Sequence, residues 1–115
     1  MAVGTKNATT LTTLTTATSS TSVDVSGAKG AIAIGYSIAT TTGAHATPAI
    51  VDFEGSNDGS IWYTAKRVQM FAVSTTLTGY AYFPDSVQYV RSTIVQLRGS
   101  GTTTVNGVAG SVDLA

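Results

Sequence analysis

The stretch FEGSNDGSIWYTA, residues 53–65, places an Asn-Asp-Gly corner between two β-prone segments. Glycine adopts a positive φ at little cost, and Asn and Asp tolerate one, so the corner is typical of a tight turn with Gly59 in the left-handed position. Before it, AIVDFEGS alternates apolar and polar side chains, which is the period of a β-strand. After it, Trp62 begins a returning strand, where we expect it to bury a large area across from Phe53. The stretch therefore predicts a strand–turn–strand unit with an aromatic core.

Two chemical alternatives for this stretch are weaker. Asp52 and Glu54 share one strand face with α-carbons about 6.5–7 Å apart, but glycosidase carboxylates flank a substrate bond across a cleft. Neighbours on one strand are better explained as its solvent face. Asn57 and Asp58 supply oxygens, but their spacing does not match the twelve-residue calcium loop and too few carboxylates converge. We therefore expect no catalytic pair, no dedicated metal site and no cofactor.

The same period of two continues along the chain in both directions. Strand candidates are GAIAIGYSIAT, IWYTAKRVQMF, TGYAYF and SVQYVRSTIVQLRG, and Asn106-Gly107 in the C-terminal segment is a strong type I′ hairpin signal. No window of twelve residues shows helical spacing with caps. Seven or eight short strands separated by turn signals predict an all-β fold, an antiparallel sandwich or barrel, over residues 23–115.

Residues 1–22 are dense in Thr and Ser, with Leu11 and Leu14 as the apolar anchors. This composition buries little by itself. It indicates either a disordered tail or an extended arm that orders against a neighbouring subunit through the two leucines. About twenty extended residues reach up to ~65 Å, which is long enough to bridge subunits.

The charge balance favours association with other proteins. Six basic and six acidic residues among 115 give a formal net charge of zero, and only 10% of residues are charged. Nucleic acid is normally bound by clustered Lys and Arg, so we expect no nucleic-acid partner. Net charge near zero promotes self-association.

The residue types that support catalysis or export are scarce. The chain has no cysteine, which removes disulfides, thiolate zinc sites and cysteine nucleophiles. The single histidine, His45, cannot complete a triad or a usual zinc site, so we expect a loop residue and no enzyme. No apolar run is long enough for a membrane helix or a signal peptide, so we expect synthesis in a cytoplasm and no membrane partner.

Two further groups of side chains are candidates for contact or support. Tyr80, Tyr82 and Phe83 form an aromatic group that suits a sugar platform or a subunit contact, and the low charge slightly favours the contact. Arg91 lies mid-strand, where a salt bridge with Asp52 or Asp85, or stacking at the end of the sandwich, is a better explanation than ligand binding.

The corner and a later strand together resemble known proteins. GSNDGSIWYTA followed by VQYVRSTIV resembles discoidin-type jelly-roll domains, and the pairing recurs in small virion proteins of tailed bacteriophages. The residues on the motif positions are Gly55, Ser56, Asp58, Gly59, Trp62, Tyr89, Val90 and Arg91. The chain is shorter than a full discoidin domain and lacks the cysteines that many of those have, so their glycan- or lipid-binding loops are not carried over.

The resemblance implies a single jelly-roll-like antiparallel β-sandwich with an extended N-terminal arm. It implies a capsid decoration, or cement, protein that binds the major capsid protein on the outside of a phage shell, often as a homotrimer, and bridges capsomers. The alternative is a carbohydrate-binding or host-adhesion module of a phage tail or fibre, which requires Trp62 or the aromatic group of residues 80–83 to be exposed. A neck or tail structural component is a third possibility that the sequence does not separate from the first.

Overall fold

The computed structural model describes residues 5–25, 32–40, 48–70, 76–84, 86–96 and 102–113. Within these ranges the chain forms eight strands and no helix. The strands are β1 (Thr5–Thr10), β2 (Val23–Asp24), β3 (Ile32–Thr40), β4 (Ala49–Ser56), β5 (Trp62–Met70), β6 (Thr76–Phe83), β7 (Tyr89–Gln96) and β8 (Thr103–Asp113).

The strands form two four-stranded antiparallel sheets. Sheet A has the order β1-β8-β3-β6, and sheet B has the order β2-β7-β4-β5. The chain passes repeatedly from one sheet to the other, so that most neighbours within a sheet are distant in sequence, as in an eight-stranded jelly roll. The predicted all-β, jelly-roll-like sandwich is therefore confirmed.

The core lies between the two inner faces. In β3 every second side chain is buried, because successive side chains of a strand point to opposite faces. The buried residues are Ile32, Ile34, Tyr36, Ile38 and Thr40. Tyr36 stacks on Phe53 of sheet B, with ring centroids 4.5 Å apart and an interplanar angle of 22°. This stack connects the two sheets at the centre of the sandwich.

The N-terminal segment is part of the sandwich. β1 is the edge strand of sheet A and pairs with β8 over its whole length. Leu11 and Leu14 are buried in the core. Leu14 then bridges to Val105 of sheet A, and Ser19 bridges to Thr93 of sheet B, so the segment crosses from one sheet to the other.

This placement differs from the extended arm expected over residues 1–22. The Thr/Ser-rich composition suggested that the segment could bury little, but here the chain's own strands supply the missing partners. The N–H groups of Leu11 and Leu14 donate to backbone carbonyls of β8, at 2.8 and 2.9 Å. Backbone pairing of this kind compensates for a shortage of apolar side chains.

The predicted hairpin at Asn106-Gly107 was wrong. Both residues lie in the middle of β8, which pairs with β3 on one side and β1 on the other. Gly107 serves close packing, because a Cβ atom at this position would lie 2.9 Å from Cδ1 of Leu11. Pairing on both sides overrides the local turn preference of the dipeptide.

A register shift in β5 decides which of its side chains face outward. Phe53 of β4 pairs with Lys66, whereas the next residue, Glu54, pairs with Thr64. Ala65 is therefore an extra residue on β5, which is the arrangement of a β-bulge. As a result, the residues on either side of Ala65 do not follow one simple alternation.

Candidate functional site

The Asn-Asp-Gly corner is the predicted turn between β4 and β5, and Gly59 has a φ of 82°. Asp58 Oδ1 accepts hydrogen bonds from the N–H groups of Ile61 and Ser60, at 2.9 and 2.8 Å, and from Ser56 Oγ at 3.0 Å. The hydrogen bond from Ile61, followed by those from Ser60 and Ser56, holds the pKa of Asp58 below its ordinary value. The carboxylate therefore fixes the turn.

Trp62 does not fill the core as predicted. It pairs with Ser56 rather than with Phe53, and side chains alternate, so Trp62 lies on the outer face of sheet B, where it is partly exposed. The Cζ atom of Arg91 lies 4.0 Å from the centroid of the Trp62 ring, a cation–π contact. The tryptophan is thus covered on one side by an arginine of its own chain.

A group of paired charges and hydroxyls occupies the same outer face, and we call it the arginine–carboxylate cluster. It consists of Asp52, Glu54, Thr64, Arg67, Arg91 and Thr93.

Asp52 is the buried member of this cluster, with only 3% of its surface exposed. Arg67 donates to both of its carboxylate oxygens, from Nε at 2.7 Å and from Nη2 at 2.8 Å, and Thr64 donates to Oδ2 at 3.3 Å. The hydrogen bond and charge of Asp52 raise the pKa of the Arg67 guanidinium. Asp52 was expected on a solvent-exposed face, but its carboxylate is covered by its hydrogen-bond partners.

Glu54 and Arg91 form the second ion pair. Arg91 Nε donates to Glu54 Oε1 at 2.9 Å, and Thr93 donates to the same oxygen at 2.6 Å. The salt bridge expected for Arg91 is present, but its partner is Glu54 rather than Asp52, and Asp85 lies outside the described residues. Asp52 and Glu54 are thus each hydrogen-bonded to an arginine on a neighbouring strand.

The outer face of sheet A carries exposed aromatic rings instead. Tyr80 and Tyr82 of β6 are 61% and 69% exposed, and their ring centroids are 6.2 Å apart with an interplanar angle of 30°. A Cβ atom on Gly35 of β3 would lie 3.3 Å from Cε1 of Tyr80, so this ring rests on the glycine. Val108, opposite Gly35 on β8, is also exposed. We call these four residues the tyrosine face.

The tyrosine face has the properties of a contact surface. Tyrosine offers a large, rigid apolar ring and a hydroxyl that donates or accepts a hydrogen bond, at a low entropic cost on ordering. The neighbouring small residues leave both rings free to contact a flat partner. Such a surface suits the C–H face of a sugar ring or an apolar patch of a protein.

Five residues were predicted as interaction residues, and the structure separates them. Tyr80 and Tyr82 point outward and are exposed, whereas Phe83 points into the core and is buried, because the aromatic group lies on a strand and alternates between its faces. Leu11 and Leu14 are also core residues and offer no side chain to a neighbouring subunit. The predicted surface is thus reduced to the two tyrosines.

Sequence reasoning did not identify Gly35, Val108 or Arg67. The signal for Gly35 is in β3, where Ala33, Gly35 and Ser37 alternate with the buried isoleucines. A run of small outward residues indicates a flat outer surface on which a neighbouring ring can lie. The role of Arg67 depends on the bulge in β5, for which the sequence carries no signal.

The described residues show no metal centre. They contain no group of three or more His, Cys, Asp or Glu side chains that could hold an ion. His45, expected in a loop, lies outside the residues that the structure describes. No helix in the described part of the chain is long and apolar enough to cross a membrane.

Comparison with known proteins gives a likeness of shape only. No protein-family model matches the sequence, and no curated protein matches it. A solved structure of Bacillus endospore appendages, described as disulfide-linked pili, is 14% identical with a TM-score of 0.48, over 100% of this chain and 96% of that chain. The CBM22-1 xylan-binding domain of Paenibacillus barcinonensis Xyn10C is 13% identical with a TM-score of 0.46, over 94% and 86%. Both TM-scores are below 0.5 and both identities are below 15%, so the likeness assigns no role to this chain.

Proposed function

We propose that this protein is a non-catalytic binding module that recognises carbohydrate through its tyrosine face, as an adhesion domain does. The observation that carries the proposal is the pair Tyr80 and Tyr82, two large side chains left 61% and 69% exposed side by side on one strand. Exposed apolar surface that a fold does not need is characteristic of a binding site.

The chemistry of this face favours a neutral glycan. β3 and β6 contain no charged residue, and β8 contains none before Asp113. These strands supply no cation of their own to a sulfate or a uronic acid carboxylate, and the neighbouring Lys66 ammonium is bonded to the Tyr80 carbonyl at 3.2 Å. Two neighbouring rings can stack against successive units of an extended polysaccharide, while their hydroxyls bond to the sugar hydroxyls.

The capsid decoration role that the resemblance implies is the second proposal. It places the protein on a virion surface, bound to the major capsid protein. The uncharged tyrosine face and the zero net charge support it, because tyrosine is enriched and charge is depleted in the cores of protein interfaces. On a repeating shell, many weak contacts of this kind would add to tight retention.

Co-sedimentation with insoluble cellulose, chitin and β-1,3-glucan tests the first proposal. We expect one of them to retain the wild-type chain, and we expect Tyr80→Ala and Tyr82→Ala each to weaken binding about tenfold, or ~1.4 kcal/mol. Trp62→Phe, on the opposite sheet, is the matched control and should bind as the wild type does.

The single tryptophan supplies a second readout. Binding at the tyrosine face should leave Trp62 fluorescence unchanged, and quenching by a glycan would move the site to sheet B. If no polysaccharide binds the chain but purified capsid shells do, and Tyr80→Ala abolishes that binding, the decoration role replaces the glycan role. If neither polysaccharide nor shells bind the chain, the tyrosine face is not the binding surface.

A further inference from the structure

Within the described residues, the strands at the outer edges of the two sheets are protected to different degrees. An exposed strand edge is a template for pairing with another chain, and proteins block it with charges, bulges or very short strands. β2 has only two residues, β1 contains Lys6, and β5 contains a bulge together with Lys66 and Arg67. β6 has eight residues, no charge, no internal proline and an unbroken register with β3.

The direction of the backbone groups shows which part of β6 is available. Leu11 N–H donates to Gly107 C=O, so Gly107 faces β1, and Tyr36, opposite Gly107, faces β6. Gly79 therefore bonds to β3, and the adjacent residues Thr78 and Tyr80 direct their N–H and C=O groups to the open edge. The hydrogen bond from Lys66 Nζ to Tyr80 C=O, at 3.2 Å, agrees with this direction.

We propose that β6 is a self-association strand that pairs antiparallel with β6 of a second copy of this chain across a twofold axis. A twofold axis brings a strand against itself, so a charged edge would oppose like charges, which destabilises pairing. Among the described edge strands of full length, β6 is the one without a charged residue of its own, and Lys66 of β5, which reaches its edge, is exposed and must turn toward solvent on pairing. The zero net charge of the chain adds no long-range repulsion.

The pairing has a defined geometric result. A twofold axis perpendicular to sheet A joins the two copies into one eight-stranded sheet with the same face outward in both. Tyr80 and Tyr82 of each copy then lie on one continuous surface, which makes a platform of four rings. Lys66, whose side chain is exposed, releases the Tyr80 carbonyl to the partner strand. The pairing stands independently of the proposed function, whereas the value of the enlarged platform rests on it.

Light scattering coupled to size exclusion of the full chain tests the pairing. We expect the wild type at twice the monomer mass of 11.7 kDa. Thr78→Pro should halve the mass, because it removes an N–H that faces the open edge and costs no bond to β3. Thr78→Val is the matched control and should remain a dimer.

A second variant separates loss of pairing from loss of folding. Thr78→Lys places like charges near the twofold axis, so it should be monomeric at low salt and regain the dimer at high salt with an unchanged circular dichroism spectrum. A wild-type monomer, a wild-type trimer or a dimeric Thr78→Pro variant would overturn the proposal. A dimer that retains no polysaccharide supports the pairing and contradicts the glycan role alone.

Discussion

The outer faces of the two sheets differ in how far their polar and aromatic side chains are paired with other groups of the chain. On sheet B the carboxylates of Asp52 and Glu54 are each bound by an arginine, and Arg91 also covers the ring of Trp62. On sheet A two tyrosine rings remain largely exposed over a background of small residues. The charged groups of the sheet B face are paired within the chain, whereas the two rings of the sheet A face are exposed to solvent.

This difference is the reason for placing the proposed binding site on sheet A. Charges that lose water must find partners, so a satisfied ion pair is weak evidence for a ligand site. The exposed part of the two tyrosine rings contributes little to the isolated fold, and exposed apolar surface of this kind is characteristic of a binding site. A motif search that starts from the tryptophan and the carboxylates therefore leads to the outer face of sheet B rather than to the tyrosine face of sheet A.

The largest effect is expected from the core that supports both faces. Phe53→Ala removes a fully buried ring and its stack on Tyr36, and should lower the free energy of unfolding by about 3–5 kcal/mol. Urea denaturation followed by circular dichroism measures the change. Phe53→Leu is the control and should cost less than half as much. Equal losses would mean that the aromatic stack, which both variants lose, carries the contribution, and that the buried volume kept by leucine carries little.

A smaller effect is expected on sheet B. Glu54→Ala removes the acceptor of Arg91 and Thr93 and should cost about 1.5–3 kcal/mol, the range for a hydrogen bond to a charged group. The same urea titration measures it. Thr93→Val, which removes one of these bonds and keeps the charges, should cost less. A neutral Glu54→Ala variant would show that the sheet B face is not structurally required.

The corner should add a modest dependence on pH. The pKa of Asp58 in the folded chain lies below its ordinary value of 3.8, so its contribution to stability is present above about pH 4 and is lost as the pH falls through the lowered pKa. Asp58→Asn removes this titration. The melting temperature should therefore fall less steeply from neutral to acidic pH for the variant than for the wild type. Parallel plots of melting temperature against pH would contradict a stabilising role of the Asp58 carboxylate.

The smallest effect is expected on the tyrosine face. Tyr80→Ala and Tyr82→Ala should each change the free energy of unfolding by no more than about 0.5 kcal/mol, because both rings are exposed. The substitutions expected to weaken glycan binding would then leave the fold intact, unlike those on sheet B. A loss above 1 kcal/mol, beyond the range of exposed substitutions, would instead give the rings a structural role.

Features that depend on neighbours in sequence were predictable. The alternation in GAIAIGYSIAT identified β3 and its buried face, and AIVDFEGS coincides with β4. The corner at Gly59 was predictable for the same reason, because its backbone conformation is set by a few adjacent residues.

Features that depend on distant pairing were not predictable. The outward position of Trp62 follows from its pairing opposite Ser56. Gly107 stays in a strand because β3 lies on one side of it and Leu11, just after β1, bonds to it on the other. Whether Tyr80 and Tyr82 are exposed or buried could not be predicted for a similar reason. Alternation places them on one face but does not say which face is covered by the other sheet.

The pairing of β1 with β8 also has a consequence for synthesis. β1 cannot join its sheet until the ribosome has made β8, about a hundred residues later, so the topology is dominated by contacts of long sequence separation. Until then Leu11 and Leu14 lack the neighbours that bury them. We therefore expect the chain to complete its fold only after β8 has left the exit tunnel, with a slow final step in which the N-terminal segment closes over the sandwich.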